Sequence, residues 1–325
     1  MDIVSNKALL LKAQNPNAIL EAIPKSKPLN GNKVVVYWGI RETQVLKKLG
    51  YKNIPSPIKK EYEWHGRFKP FKHQIETSSF LTLHKKACCF NEQGTGKTAS
   101  VIWAADYLMS IGEIRRVLVI CPLSIMSSAW LTDLFSCAMH RKASVCHGVR
   151  KKRQEVINSA AEFVVINYDG VEIVSDEIKK GGFDLIVVDE ANAYKNVSTK
   201  RWKMLNKLGA RTTYLWMLTG TPASQSPVDA YGLAKLVNPE NTPRFLGRWK
   251  EMVMRRVSQF TYIPRPEAKK LVHRVLQPAI RYTKEECLDL PDITYMTRSV
   301  PLTPQQNKYY RLMKKKLIVN AAGED

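Results

Sequence analysis

The chain has 325 residues, 44% hydrophobic and 25% charged, which is enough for one large α/β domain with accessory pieces or for two modest domains. Its 51 lysines and arginines outnumber 29 aspartates and glutamates, and the resulting charge of +22 repels itself unless a polyanion is the partner. Nucleic acid is therefore the expected partner, and a membrane is not, because no run approaches the roughly 20 apolar residues that span a bilayer.

Met1 to Pro16 holds no apolar signal core, and the six cysteines are scattered without a Cys-x-x-Cys pair, so a reducing cytoplasm is expected. Residues 1–32 read as irregular, punctuated by Pro16, Pro24, Pro28 and the Asn30-Gly31 turn. Lys33 to Trp38 predicts a strand and Glu42 to Leu49 a short helix ending at Gly50, which together make residues 1–61 a small appendage. Next come Arg67, Phe68 and Gln74, the last at the start of a predicted helix. A glutamine amide donates and accepts at once, so Gln74 could meet the edge of adenine while Arg67 and Phe68 cover the base. Alternatively Gln74 is an exposed residue on a first helical turn.

The central stretch is Asn91-Glu92-Gln93-Gly94-Thr95-Gly96-Lys97-Thr98, between an apolar run (Ala87 to Phe90) and a helical pattern through Val101, Ile102, Ala105, Leu108 and Met109. Strand, glycine-rich turn and Gly-Lys-Thr opening a helix are the parts of a phosphate-binding loop. Backbone N–H groups approach phosphate oxygens, and the helix N-terminus adds partial positive charge. Lys97 would reach the β- and γ-phosphates of ATP and the Thr98 hydroxyl would ligate Mg²⁺. The strict pattern has glycine where this chain has Asn91.

Apolar runs at Val117–Cys121, Phe163–Asn167, Phe183–Val188 and Tyr214–Leu218 alternate with helical stretches near Ile125–Cys137, Arg150–Ala160, Gly170–Lys179 and Thr199–Leu208. Continuous apolar runs are strands buried on both faces, so a mostly parallel, doubly wound α/β sheet is predicted over residues 62–240. Its ligands belong at the carboxyl ends of the strands. One of those ends is Asp189-Glu190, where Asp189 would hold Mg²⁺ and Glu190 would orient and deprotonate the attacking water. Another is Leu218-Thr219-Gly220-Thr221-Pro222. Cys137, His140, Cys146 and His147 could be imagined around zinc, but Ala143 to His147 also reads as a strand and the spacing fits no standard finger. The basic clusters Arg150–Arg153 and Lys314–Lys316 read as a helix start or a solvated helix face.

The order Gln74, Asn91–Thr98, Val117–Trp130, Val188–Asn192 and Leu218–Pro222 resembles the first RecA-like lobe of superfamily-2 helicases. It is most similar to Swi/Snf-type translocases of double-stranded DNA, including shorter relatives carried by bacteriophages. The resemblance covers residue 62 to the end. It implies a nucleic-acid-dependent ATPase that uses ATP and Mg²⁺, in a bacterial host cell if phage-encoded. It also implies nucleic-acid or coupling roles for Pro122, Ser124, Asn167, Tyr168, Lys195, Thr219 and Thr221. Residues 241–291 resemble a helical arm and linker, and residues 292–325 the start of a second lobe, with Ile293 to Val300 as its strand and Pro304 to Val319 as its helix. Where the family has His or Asp, the acidic box ends at Asn192. No glycine–arginine motif supplying arginine fingers is present, and such fingers are worth about 10³ to 10⁵ in rate. The chain is thus expected to bind nucleotide and hydrolyse it slowly, as a truncated piece or as a half-engine completed by a second lobe or second copy. An RNA helicase and a non-hydrolysing, ATP-gated nucleic-acid-binding protein remain the alternatives.

Overall fold

Seven strands form the central sheet: β5 (Lys86–Cys89), β6 (Val117–Cys121), β7 (Ala143–Cys146), β8 (Phe163–Asn167), β9 (Leu185–Val188), β10 (Tyr214–Leu218) and β13 (Ala279–Ile280). They lie in the order β13-β5-β10-β9-β6-β8-β7, and every neighbouring pair is parallel. The computed structural model describes residues 1–51, 53–258, 261–287 and 296–322. It divides into two compact units, Met1–Leu288 and Asp289–Asp325.

Both faces of the sheet are apolar because both are covered. Leu118, Ile120, Val164, Ile166, Ile186, Val188 and Met217 pack into one core, and Val117, Val119, Phe163, Val165, Leu185, Val187, Trp216 and Leu218 into another. This alternation is why the strands read as unbroken apolar runs, and it confirms the predicted RecA-like, doubly wound α/β class. The helix Lys97–Ser110 buries Val101, Ile102, Ala105 and Leu108 in the second core, as its spacing predicts.

The expected helices are present with shifted bounds. Arg150–Ile157 and Lys200–Gly209 are each continuous. The one expected at Gly170–Lys179 divides into Tyr168–Ile173 and Ser175–Lys180, and the one expected at Ile125–Cys137 begins as a 3₁₀ turn and a π-helical stretch before Thr132–Cys137.

The first 32 residues are not irregular. They hold β1 (Asp2–Val4), β2 (Ala8–Lys12), the helix Pro16–Ala22 and β3 (Lys27–Leu29), which with β4 (Lys33–Tyr37) make an antiparallel sheet ordered β1-β2-β4-β3. Leu9, Leu11, Val34 and Val36 face inward against Ile19, Trp38 and Leu46, the last on the helix Ile40–Lys48. The signal that reading missed is Ala8–Lys12, a strand too short for alternation to stand out beside three prolines.

Residues 241–287 contain more than helices. After Leu246–Val253, the strands β11 (Met254–Arg256) and β12 (Tyr262–Pro264) form an antiparallel ribbon, Ala268–Val275 follows, and β13 then joins the edge of the central sheet beside β5. In the second unit Pro304–Ala322 is helical, as expected. The strand predicted at Ile293 to Val300 falls partly outside the described residues, and its described part, Met296 to Val300, is not strand.

Candidate nucleotide site

Register brings the separate sequence motifs to one edge. Cys89 pairs with Leu218, Met217 with Val188, Val188 with Ile120, and Cys121 with Asn167. The residues that follow these strand ends, namely Asn91–Thr98, Thr219, Asp189-Glu190, Pro122 and Tyr168, therefore share the carboxyl edge of the sheet. Two bonds beyond the ladder hold that alignment: Thr219 N donates to the Cys89 carbonyl at 3.0 Å and Asp189 N to the Ile120 carbonyl at 2.8 Å.

The phosphate loop turns through Gly94 (φ +83°) and Gly96 (φ +74°). Both lie in the left-handed region that side chains resist, and at Gly96 a Cβ would collide with the Gln74 amide. Lys97 opens the helix, half-buried, and its Nζ donates to the Glu92 carbonyl at 3.1 Å. Thr95 is buried and donates its hydroxyl to the same carbonyl at 2.8 Å, and Thr98 is half-buried one residue beyond Lys97. Gln93 and Gly94 are exposed.

Gln74 is buried, so the exposed-glutamine alternative is wrong. Its amide is also already engaged: Oε1 accepts from Phe71 N at 2.9 Å and Nε2 donates to the Thr95 carbonyl at 3.4 Å. In this structure Gln74 braces the loop. Arg67 and Phe68 are exposed, and Arg67 is fixed through its main chain, which donates to the Ser136 carbonyl at 2.9 Å.

Asp189 is only 8% exposed. Its Oδ2 accepts from Trp130 Nε1 at 2.9 Å and its Oδ1 from Glu190 N at 2.9 Å. Burial pushes its carboxyl above the usual carboxylate range, and the two N–H groups and the charge of Lys97 pull the other way. Burial likewise raises the Cys89 thiol to about 11 against the lowering field of Lys97. Lys97, Cys89 and Asp189 thus share one electrostatic environment.

Glu190 adopts a left-handed backbone (φ 48°, ψ 53°), an arrangement that costs on the order of 1–3 kcal/mol for a non-glycine residue. Tyr168 sustains it: its hydroxyl donates to the carbonyls of Asp189 at 2.7 Å and Glu190 at 3.2 Å. The Tyr168 ring packs edge-on against Tyr194 and lies beneath the Arg201 guanidinium, 4.8 Å from the ring centre. Pro122, Tyr168, Glu190, Asn192, Ala193, Lys195 and Ser224 line an open cleft of about 330 Å³. Lys195 is anchored there, its Nζ 2.9 Å from Gln225 Oε1 and 3.2 Å from Asp229 Oδ2.

The other expected residues do not line this cleft. Ser124 is exposed and its carbonyl accepts from Ser128. Asn167 Oδ1 accepts from the buried Arg153 at 3.1 Å. Thr219 is fully buried, and its hydroxyl oxygen accepts from the main chain of Thr221, an exposed residue, at 3.2 Å. Arg153 also donates to the carbonyls of Gly148 and Cys146 at 2.8 and 2.7 Å, so it does not belong to a solvated face, unlike Lys151 and Lys152. The zinc alternative fails: among the described residues no group of three or more His, Cys, Asp or Glu side chains could hold a metal.

Two side chains that organise the site carried no assigned role at the sequence level. Trp130 is fully buried against Asp189. His73 braces the loop, its Nε2 lying 2.8 Å from the Thr95 carbonyl. A tryptophan in an apolar stretch still has an N–H to satisfy, which was the available signal.

A glycine-rich turn on a parallel sheet, with Lys97 beside an acidic strand end, defines a RecA-like phosphate-loop protein. The SNF2-related domain model matches residues 73–325, and the chain belongs to that family. It is 26% identical over 270 residues to Protein CHROMATIN REMODELING 4 of Arabidopsis thaliana, covering 75% of this chain and 12% of that one. To the mouse Chromodomain-helicase-DNA-binding protein 1-like it is 27% identical over 253 residues, covering 74% and 27%. The fold is similar to the Sulfolobus solfataricus SWI2/SNF2 ATPase core in complex with dsDNA, with a TM-score of 0.59, 24% identity, and coverage of 80% of this chain and 55% of that one. The chain thus spans about half of that core and under a third of the two curated relatives. None of the three is a bacteriophage protein, and the phage expectation gains no support from them. Among the described residues no helix is long and apolar enough to cross a membrane.

Proposed function

We propose that this chain is the ATP-binding portion of a nucleic-acid-dependent ATPase that moves along double-stranded DNA. The observation that carries the reading is the meeting of the Lys97 loop and the Asp189-Glu190 strand end at one sheet edge, where the Lys97 charge acts on the Asp189 carboxyl. Lys97 would grip the β- and γ-phosphates. Asp189 and Thr98 would hold Mg²⁺, for which one carboxylate and one hydroxyl suffice when phosphates and water supply the other ligands. When bound, Mg²⁺ would neutralise phosphate charge. Glu190, set by Tyr168 at the mouth of the cleft, would position and deprotonate water.

DNA as the track is supported by the +22 charge and by the duplex bound to the similar archaeal core. In this reading Pro122 and Tyr168 line the cleft that joins the hydrolytic edge to the nucleic-acid face, with Lys195 set between Gln225 and Asp229. Residues 62–240 would be the nucleotide lobe, 1–61 an appendage, 241–291 the arm and 292–325 the beginning of the second lobe.

The test combines calorimetry with steady-state hydrolysis, alone and with duplex DNA, single-stranded DNA and RNA. Lys97→Ala is expected to lose ATP binding, and Glu190→Gln to keep binding while losing turnover. Unchanged ATP affinity in Lys97→Ala would sink the loop assignment, and strongest stimulation by RNA would sink the duplex-DNA reading.

A further inference from the structure

Asn91, the residue that departs from the phosphate-loop pattern, is fully buried and bonded at both ends of its amide. Nδ2 donates to Thr77 Oγ1 at 2.9 Å, and Oδ1 accepts from the main-chain N of Tyr282 at 3.0 Å. The orientation is forced. The Thr77 hydroxyl spends its hydrogen on the His73 carbonyl at 2.8 Å, so toward Asn91 it can only accept, and the Tyr282 N–H can only donate.

Around this amide the main chain of residues 278–282 is zipped to the loop strand. The N–H groups of Cys88, Phe90 and Glu92 donate to the carbonyls of Pro278, Ile280 and Tyr282 at 3.0, 2.8 and 3.0 Å. Glu92 extends the contact: its carboxylate accepts from Lys284 N at 3.1 Å and lies 3.6 Å from the Arg281 guanidinium. Its carbonyl, on the other side, receives Lys97 Nζ and the Thr95 hydroxyl. One dipeptide thus touches both the phosphate-gripping lysine and the segment from which the chain runs into residues 289–325.

We infer that Asn91 is a positioning residue that couples phosphate occupancy of the loop to the seating of residues 279–284. The inference rests on the ATP-binding reading above. Phosphates entering the loop draw Lys97 Nζ off the Glu92 carbonyl, and the turn from Glu92 to Thr95 readjusts. Asn91, tied to Thr77 and Tyr282 together, transfers that readjustment to the 279–284 segment. By thermodynamic reciprocity, peeling the segment away weakens nucleotide binding.

Hydrogen exchange of the full chain, followed in peptides spanning residues 279–287 with and without a non-hydrolysable ATP analogue, tests this. In the unaltered chain the nucleotide changes exchange in this segment. Asn91→Gly, which restores the strict loop pattern, is expected to exchange on the order of five- to tenfold faster there, the weight of about one lost hydrogen bond, and to lose the nucleotide response. Asn91→Asp keeps an acceptor for Tyr282 but no donor for Thr77, and is expected to retain part of the response; it carries the test should Asn91→Gly fail to fold. Faster exchange with the full nucleotide response intact in both variants would overturn the coupling and leave Asn91 a merely structural residue. An unaltered chain that binds the analogue by calorimetry without any change in this segment would overturn the coupling alone. An unaltered chain that binds no nucleotide would overturn the ATP reading and the coupling with it.

Discussion

Trp130→Phe offers the sharpest examination of the acidic strand end. Trp130 is fully buried, and its Nε1–H is one of the two N–H groups that reach the Asp189 carboxylate. Phenylalanine removes that donor and leaves a smaller ring. A hydrogen bond to a charged group contributes about 1.5–3 kcal/mol, so a buried carboxylate that loses one suffers close to the full amount. The missing ring atoms add roughly 1 kcal/mol of cavity and lost contact. Trp130→Phe is therefore expected to destabilise the first unit by about 2–4 kcal/mol. The cycle with Asp189→Asn separates the two contributions, because the cavity cost is common to both backgrounds and the charge-assisted bond is not. Urea denaturation of the parent, both single variants and the double variant should give a coupling of about 1.5 kcal/mol or more. A coupling under about 0.5 kcal/mol, with the Trp130→Phe cost unchanged in the Asn background, would refute the role given to this bond.

The Asp189 titration carries a further expectation. Because burial raises its pKa in the folded state, the native chain binds that proton more tightly than the unfolded one, and stability falls as pH rises from about 4 through the raised value. Relative to Asp189→Asn, the parent should lose stability over that interval in urea denaturation; a relative gain would show the sign to be wrong. Gly232 in the helix Ala230–Val237 lies so close to the carbonyls of Tyr194 and Lys195 that a Cβ would collide with main chain. Gly232→Ala should cost about 1–3 kcal/mol and lower the melting temperature, and an unchanged melting temperature would contradict that packing. Arg153→Gln strips donors from Gly148, Cys146 and Asn167 and should cost about 2–4 kcal/mol, while Lys151→Ala stays within about 0.5 kcal/mol. Equal costs would mean that Arg153 belongs to the solvated face after all.

The layout of the main sheet was legible because each of its central strands is apolar on both faces. Val117–Cys121 and Tyr214–Leu218 are fully buried along their length, as strands of a parallel sheet covered on both faces are. The positions of Asn91–Thr98 and Asp189-Glu190 at strand ends were legible for a related reason: both stretches are short, local, and directly follow apolar runs. The appendage was not, because β1 and β3 are three residues each and take their order from pairing with β2 and β4. Edge strand β13 has only two residues, and its place beside β5 depends on contacts nearly 200 positions away in the sequence.

Several polar side chains have partners that the sequence does not show. Gln74, Asn91, Arg153 and Lys195 are polar residues whose bonds run to main chain or to a partner that sequence spacing does not reveal. Pattern reading assigns such residues to ligand or solvent because those are the partners it can see. A buried amide must be satisfied by something, and at Asn91 it is the main chain of Tyr282 and the hydroxyl of Thr77. Glycine, which the strict pattern has at that position, would free the loop turn but leave the Tyr282 N–H without its acceptor. The departure from the pattern and the returning strand therefore explain one another: a loop that clasps residues 279–284 needs a side chain where a loop that only cradles phosphate does not.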